Sequence, residues 1–396
     1  MKKIILSVLS AVFLSSVALF GNSFGDRFFE IKTNLPVGIS NNVLSLNNIL
    51  VKNLQIDLKD FAGRVPSEGL KFAYNTNPEL SLNFRISELR FGLDAGIDAS
   101  GFFTISKDLF DFFGYGNELG EEINVSFRND LDVYAYTNVR LGMKLGNCKL
   151  VLQPTIFTPL FSMSGDLAEF TYLNDEEGRV LARFTSDIAV HSLYDLDTEF
   201  LSFDLPYYLK NMGVDLGGNI SFQISPLTSI KFDARIPIMP GKMTYTKHLI
   251  TEFEIDTSIA SMESIEAESD SSDYSVKDDV YYLNRPLKFD AYINYAPMGN
   301  LFNFCAGAGF GVFRPFTNSF AFYPEYFFGA DLSLAKIITL GVSTEYMDQV
   351  FKHEFGLDIN VRFIEIAAGI SLQSASFTKS FSATGFGGYV LFAFGF

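Results

Sequence analysis

The chain has 396 residues, a formal net charge of −16 and a pI near 4.6, with 48% hydrophobic residues and a mean hydropathy of +0.18. The acidic balance argues against nucleic acid as a partner, because phosphate binding needs a basic face, and the hydropathy is too low for a bundle of membrane helices. The 43 Phe and 18 Tyr, with no Trp, favour strands.

The first 25 residues, MKKIILSVLSAVFLSSVALFGNSFG, place Lys2 and Lys3 before an uncharged apolar run from Ile4 to Phe20, followed by Gly21, Ser23 and Gly25. This is the layout of a secretory signal peptide, expected over residues 1–25 and cleaved near Ser23 or Gly25. No cysteine follows the run, so it is not a lipoprotein signal. Residues 26–68 come next. Within them Leu46, Ile49, Leu50, Leu54, Leu58 and Phe61 recur at helical spacing. This segment is expected to precede the first strand and to be partly helical and plug-like.

From residue 69 onward the dominant pattern has period two. In GVDLGGNISFQI, Val214, Leu216, Ile220, Phe222 and Ile224 share one face, against Asp215, Asn219, Ser221 and Gln223. Leu131 to Leu145, Phe289 to Tyr295, Phe302 to Val312, Phe355 to Phe363 and Ile364 to Leu372 alternate in the same way. Such runs are strands with one apolar and one polar face. Their lengths approach the 9–11 residues of a tilted transmembrane strand, against about 5–6 for an ordinary one. Short connections, such as Ser87-Glu88 and Phe363-Ile364, take turns with long ones: Gly101 to Asp130, Pro159 to Arg179, Ile238 to Pro286, Pro315 to Tyr323, Tyr346 to Lys352 and Gln373 to Thr384. The expected fold is all-β: a closed antiparallel transmembrane β-barrel of about 14 strands (12–16) over residues 69–396, with short turns at one end and long loops at the other. Residues 157–212 fit either a folded loop or two further strands. Residues 239–286 are expected as an acidic external loop, since Thr251 to Asp279 holds ten acids and one lysine.

Alternation puts Asp94, Asp98, Tyr134, Tyr136, Arg140 and Asp215 toward the lumen. Asn219, Asp290, Asn294, Asp358, Asn360 and Arg362 join them. Gly307, Gly309 and Gly311 in GAGFG also face inward and leave space; the run lies inside a strand and is no nucleotide loop. Candidate chemistry is sparse. His191 and Ser192 are adjacent in a strand and point to opposite faces. No G-x-S-x-G elbow occurs, and His248 and His353 lie beside loops. The stretch Asp195 to Glu199 begins like a calcium loop but has Phe200 where glycine is needed. Cys148 and Cys305 carry no framework spacing and are expected as free thiols. No enzyme site, metal or cofactor is expected.

The chain ends in GGYVLFAFGF. A C-terminal Phe closing an alternating aromatic strand resembles the sorting signal read by the barrel assembly machinery of the outer membrane, with Phe392, Phe394 and Phe396 at the matching positions. More broadly, LPVGISNN (35–42) and GIDASGFFTISKDLFDFFGYGN (96–117) resemble conserved outer-membrane barrels of spirochaete-type diderm bacteria. Those are similar to long-chain fatty-acid transporters. That resemblance implies an outer-membrane location, contact with outer-membrane lipid, a 14-stranded barrel and a hydrophobic small-molecule cargo. The family's plug begins Asn-Pro-Ala; the nearest stretch here is TNLPVG, which departs from that motif. A surface-exposed structural or adhesive barrel, and an open porin, are the alternatives.

Overall fold

A computed structural model describes residues 27–45, 57–195, 205–258, 266–298, 301–317, 320–335, 337–347, 349–374, 376–382 and 384–396. The expected signal peptide lies outside the described residues. Among the described residues, eighteen strands form one antiparallel sheet. They are β1 (Phe29–Asn41), β2 (Leu70–Thr76), β3 (Glu79–Ile86), β4 (Leu89–Ile105), β5 (Glu122–Leu145) and β6 (Cys148–Asn174). Then come β7 (Arg179–Ser192), β8 (Gly213–Ser225), β9 (Thr228–Met239), β10 (Gly241–Ser258), β11 (Glu266–Leu283) and β12 (Leu287–Tyr295). The last six are β13 (Phe302–Phe313), β14 (Ala321–Leu334), β15 (Ile338–Met347), β16 (Val350–Val361), β17 (Ile364–Ser374) and β18 (Gly385–Gly395). Among the described residues there are also four short helices: α1 (Leu58–Arg64), α2 (Lys107–Tyr115), α3 (Leu205–Lys210) and α4 (Phe377–Ser380).

The sheet closes on itself. β12 to β18 pair in sequence, β18 pairs with β1 (Glu30 opposite Gly395), and β1 pairs with both β2 and β3. The ring continues through β4, β5, β6, β8 and β9 back to β12. The strand count exceeds the expected figure of about 14 for two reasons. First, one wall position is broken at Asn77-Pro78 into β2 and β3, which keep a single register against β1 and β4. Proline has no N–H to donate, so the ladder is interrupted there, although the Pro78 carbonyl still accepts from the Ile97 N–H at 3.1 Å. Second, β7, β10 and β11 lie beyond the ring.

β5 and β6, at 24 and 27 residues, are far longer than a membrane requires. Their extra length carries β7, then β10, then β11, as a projecting blade. Residues 157–212 therefore contain the rest of β6, then β7 and α3. Within the acidic stretch 239–286, Gly241–Ser258 and Glu266–Leu283 are two long paired strands rather than a solvated loop. Their carboxylates alternate with Phe253 and Ile255, so one face stays apolar. The row Val125, Phe170, Phe184 and Phe253 crosses four strands in register. On the other face Arg183 reaches Glu254 at 2.6 Å and Arg179 reaches Asp256 at 2.6 Å.

Residues 26–68 also divide differently from expectation. β1 is a wall strand, because Ile31 and Ile39 stay exposed while Glu30 and Ser40 are buried. Among the described residues of this segment the helical spacing corresponds to α1, which Asp57 caps through the Lys59 and Asp60 N–H groups. α1 packs on α2 through Phe61 and Phe110, 5.4 Å apart. Leu46 to Leu54 lie outside the described residues. The Tyr346 to Lys352 connection is short as well, with only residues 348–349 between β15 and β16.

The apolar face points outward and the polar face inward. On β16, Phe355 is 50% exposed and its neighbour Glu354 only 3%. Glycine lets large lumenal side chains lie flat against the wall. A Cβ at Gly369 would sit 2.2 Å from the Tyr389 ring, and one at Gly307 would sit 2.3 Å from Tyr292. The inward reading of Gly307, Gly309 and Gly311 is consistent with this, since all three abut lumenal side chains: Tyr292, Asp290 and Tyr323.

Candidate functional site: a lumen crossed by two arginines

The lumen is lined by charge. Lys352 bridges Glu345 and Glu354 at 3.0 and 2.7 Å, and Lys288 meets Glu325 at 2.9 Å. Arg140 pairs with Asp94, and Arg27 with Glu30 and Glu365. Burying such groups costs several kcal/mol per ion unless each meets its opposite, so this packing is dictated once polar residues are confined inside a closed wall.

Two connections at the long-loop end fold into this interior. Between β11 and β12, Arg285 reaches Asp98 on β4 and Asp215 on β8, each at 3.2 Å, and its guanidinium lies 4.7 Å from the centre of the Tyr136 ring. Just after β13, Arg314 grips Asp132 of β5 through Nε at 3.1 Å and Nη2 at 2.8 Å. It also reaches Asp130 at 3.3 Å and the Met163 carbonyl at 3.4 Å. Ser162 donates to Asp132 at 2.7 Å, which completes that carboxylate. The two connections are joined, since the Asn284 side chain donates to the Pro315 carbonyl and Tyr134 donates to the Asn284 carbonyl at 3.1 Å. Arg314 adopts φ of +45°, a left-handed backbone costing about 1–2 kcal/mol outside glycine. Its bidentate contact with a carboxylate is the geometry that offsets such a cost. β12 and β13 stand across the ring from β4 and β5, so these arginines are struts across the lumen.

The struts partition the interior. A chamber of about 180 Å³ is lined by Asn75, Thr76, Asp98, Phe313, Met347 and Val350, among others. A second, of about 270 Å³, is lined by Glu79, Tyr136, Asn219, Asp233, Arg285 and Asp290, among others. Asn77, Arg235 and Lys288 border both. Arg235 donates from Nε to the Pro286 carbonyl at 2.9 Å. The first chamber is mixed in character: Pro36, Tyr134, Pro286, Phe313, Met347 and Val350 sit beside the polar groups.

Of the residues placed inward by alternation, Asp94, Tyr134, Tyr136, Asp215 and Asp358 are buried. Asp98 and Arg140 are ion-paired, and Asn219 and Asp290 line the second chamber. Asn360 joins Arg27 to Glu365, and Asn294 is half-buried. Arg362 is a correction: it is exposed in the β16–β17 turn, beside the Phe363 ring. Arg235, Arg285 and Arg314 escape period-two reasoning, two of them because they sit in connections. A signal was present in two Arg-Pro pairs, NRPL (284–287) and FRPF (313–316), each at a strand boundary.

The histidines lie elsewhere. His191 meets Thr246 at 2.9 Å and stacks on Tyr281, while Ser192 turns to the Tyr194 carbonyl. His248 meets Asp187, and His353 lies between Thr344 and Ser380 on the outer face. Cys148 and Cys305 are both free. At the C-terminus Phe392, Phe394 and Phe396 point outward while Leu391 and Ala393 are fully buried. Phe396 exchanges two backbone hydrogen bonds with Phe29, at 3.0 and 2.9 Å.

No protein-family model matches the chain, and no curated protein matches it. Among solved structures, the P. putida toluene transporter TodX is similar at 10% identity, covering 94% of this chain and 90% of that one, with a TM-score of 0.46. The Ralstonia pickettii toluene transporter TbuX is similar at 11% identity, covering 93% and 90%, with a TM-score of 0.44. The CymD monoaromatic hydrocarbon channel follows at 8% identity, covering 93% and 89%, with a TM-score of 0.45. These superpositions are loose, and the functional reading rests on the chain's own geometry.

Proposed function

We propose that this protein is an outer-membrane β-barrel channel or transporter of a diderm bacterium, exported by a signal peptide over residues 1–25. The observation that carries the reading is the combination of a closed wall, an apolar exterior and a chambered interior crossed by Arg285 and Arg314. Water is absent from a bilayer core, so only a closed sheet satisfies its backbone there. Hydrophobic compounds such as long-chain fatty acids are the proposed cargo. The mixed lining of the first chamber suits an amphiphile: Phe313, Met347 and Val350 for a chain, Arg235 and Lys288 for an anionic head. Passage requires the two struts to move, and they take the plug's role that residues 26–68 were expected to fill. Fatty-acid uptake in a deletion strain, complemented with wild type or with Arg235→Gln, tests this. Complementation is expected with wild type and reduced with the variant; uptake unchanged by the deletion removes the lipid-transport reading.

The projecting blade favours a second role, contact with external partners at the cell surface. Protease added to intact cells should cut within Thr251 to Asp279. Phe392, Phe394 and Phe396 are proposed as the assembly signal read by the barrel assembly machinery. Phe396→Ala should lower the heat-modifiable, membrane-inserted fraction, and normal insertion would sink that assignment.

A further inference from the structure

Outside the lumen, a cleft of about 350 Å³ lies between α3 and the base of the β10–β11 hairpin. Tyr207, Lys210 and Asn211 form one side; Lys242, Tyr245 and Tyr282 form much of the other. The cleft is tied together. Tyr207 bonds to Thr244 and to the Leu193 carbonyl, and the Lys242 N–H donates to the Asn211 carbonyl at 2.9 Å. The Lys242 ammonium lies 5.7 Å from the centre of the Tyr282 ring.

The cleft faces away from the barrel axis. Met243 and Leu283 are fully buried against Tyr134 and Phe157. Their neighbours Lys242 and Tyr282, paired across the hairpin, must therefore point the other way. Directly before Lys242 on the chain, Phe232, Ile236 and Ile238 form an exposed outward row along β9. The lysine begins where the apolar belt ends. Among the described residues, Lys210 and Lys242 take part in no ion pair, unlike Lys247 with Asp273 or Lys288 with Glu325. In a chain of net charge −16, two cations without an ion-pair partner among the described residues, one on each side of one cleft, mark a local site for an anion.

We propose that this cleft binds a phosphoryl group, the headgroup of an anionic lipid in the outer leaflet being the source that its position favours. Tyrosine belongs where one end is apolar and the other wet, and each interfacial lysine attracts anionic headgroups.

The test uses the full chain in nanodiscs of zwitterionic lipid doped with phosphatidylglycerol. Native mass spectrometry reads the lipid retained by wild type, by Lys210→Gln/Lys242→Gln, and by the control Lys144→Gln/Lys149→Gln at the short-turn end. A second arm measures the melting shift on adding inorganic phosphate in purely zwitterionic discs. Wild type and control should retain the anionic lipid in excess of its bulk fraction. The cleft variant should lose about fivefold for each lysine removed. Phosphate-induced stabilisation that vanishes in the cleft variant, without lipid enrichment, keeps the phosphoryl site and assigns a soluble source. Equal retention by the cleft variant and the control, or no response to either ligand, overturns the proposal. Heat-modifiable migration of the same samples checks the barrel reading separately.

Discussion

β5 and β6 belong to two structures at once. In their lower halves they are barrel wall, and their inward residues Asp132, Tyr134, Tyr136 and Thr155 are buried in the lumen. In their upper halves they are the root of the blade, where Arg183, Glu254 and Asp256 meet water. The alternation is the same in both, but its energetic meaning is not. A charge in the lumen is held by a partner it cannot lose cheaply. A charge on the blade is screened and nearly free. Pairing distance alone does not distinguish them: Arg179–Asp256 is shorter, at 2.6 Å, than Arg314–Asp132, at 2.8 Å.

That contrast can be broken experimentally. The largest effect is expected for Arg314→Met, which leaves Asp132 buried without its cation. It should destabilise by about 3–5 kcal/mol, read by urea unfolding in detergent, and should raise single-channel conductance by removing a strut. A loss below about 1 kcal/mol would mean the lumen behaves like the surface. Next is Gly369→Val, which drives a Cβ into the Tyr389 ring and should cost about 1–3 kcal/mol on the same assay. An unchanged midpoint would mean that Tyr389 is free to swing away.

On the blade the effects are smaller and pH-dependent. Burial pushes the His191 imidazole down to about 4, below its unfolded value of about 6.5. The folded form resists protonation, so its stabilising share is present above about pH 6.5 and is lost as pH falls toward 4. Hydrogen-exchange protection of β7 and β10 should fall across that window, and His191→Phe should flatten the profile. The smallest effect is Arg179→Ala. Its hydrogen bond holds the Asp256 carboxyl below the usual range. That contribution is present above about pH 4 and fades as pH falls further. Because both groups are exposed, barrel melting at neutral pH should not move measurably.

The parts of the fold legible in the sequence were those governed by neighbouring residues. Asp94, Tyr134, Asp215 and Asp358 could be turned inward from parity alone, and Phe392, Phe394 and Phe396 outward. Parity failed where composition overrode it. The acids of Thr251 to Asp279 read as a solvated loop because their number hid Phe253 and Ile255 between them. The helical spacing from Leu46 to Phe61 obscured the fact that Phe29–Asn41 already forms wall. The struts were beyond reach for a different reason. Nothing near Arg285 or Arg314 in the chain identifies Asp98, Asp132 or Asp215 as the partner, since each lies more than 69 positions away.

By itself the sequence determined a two-faced strand and its repetition, because side chains in a strand alternate by covalent geometry. It also determined that such strands must close on one another into a ring, since each row of N–H and C=O groups needs a partner. Only the tertiary structure decided which connections enter the lumen, which strands leave the ring for the blade, and which lysines remain unpaired. Those outcomes depend on distances between residues far apart in the chain, and such distances exist only once the barrel is closed.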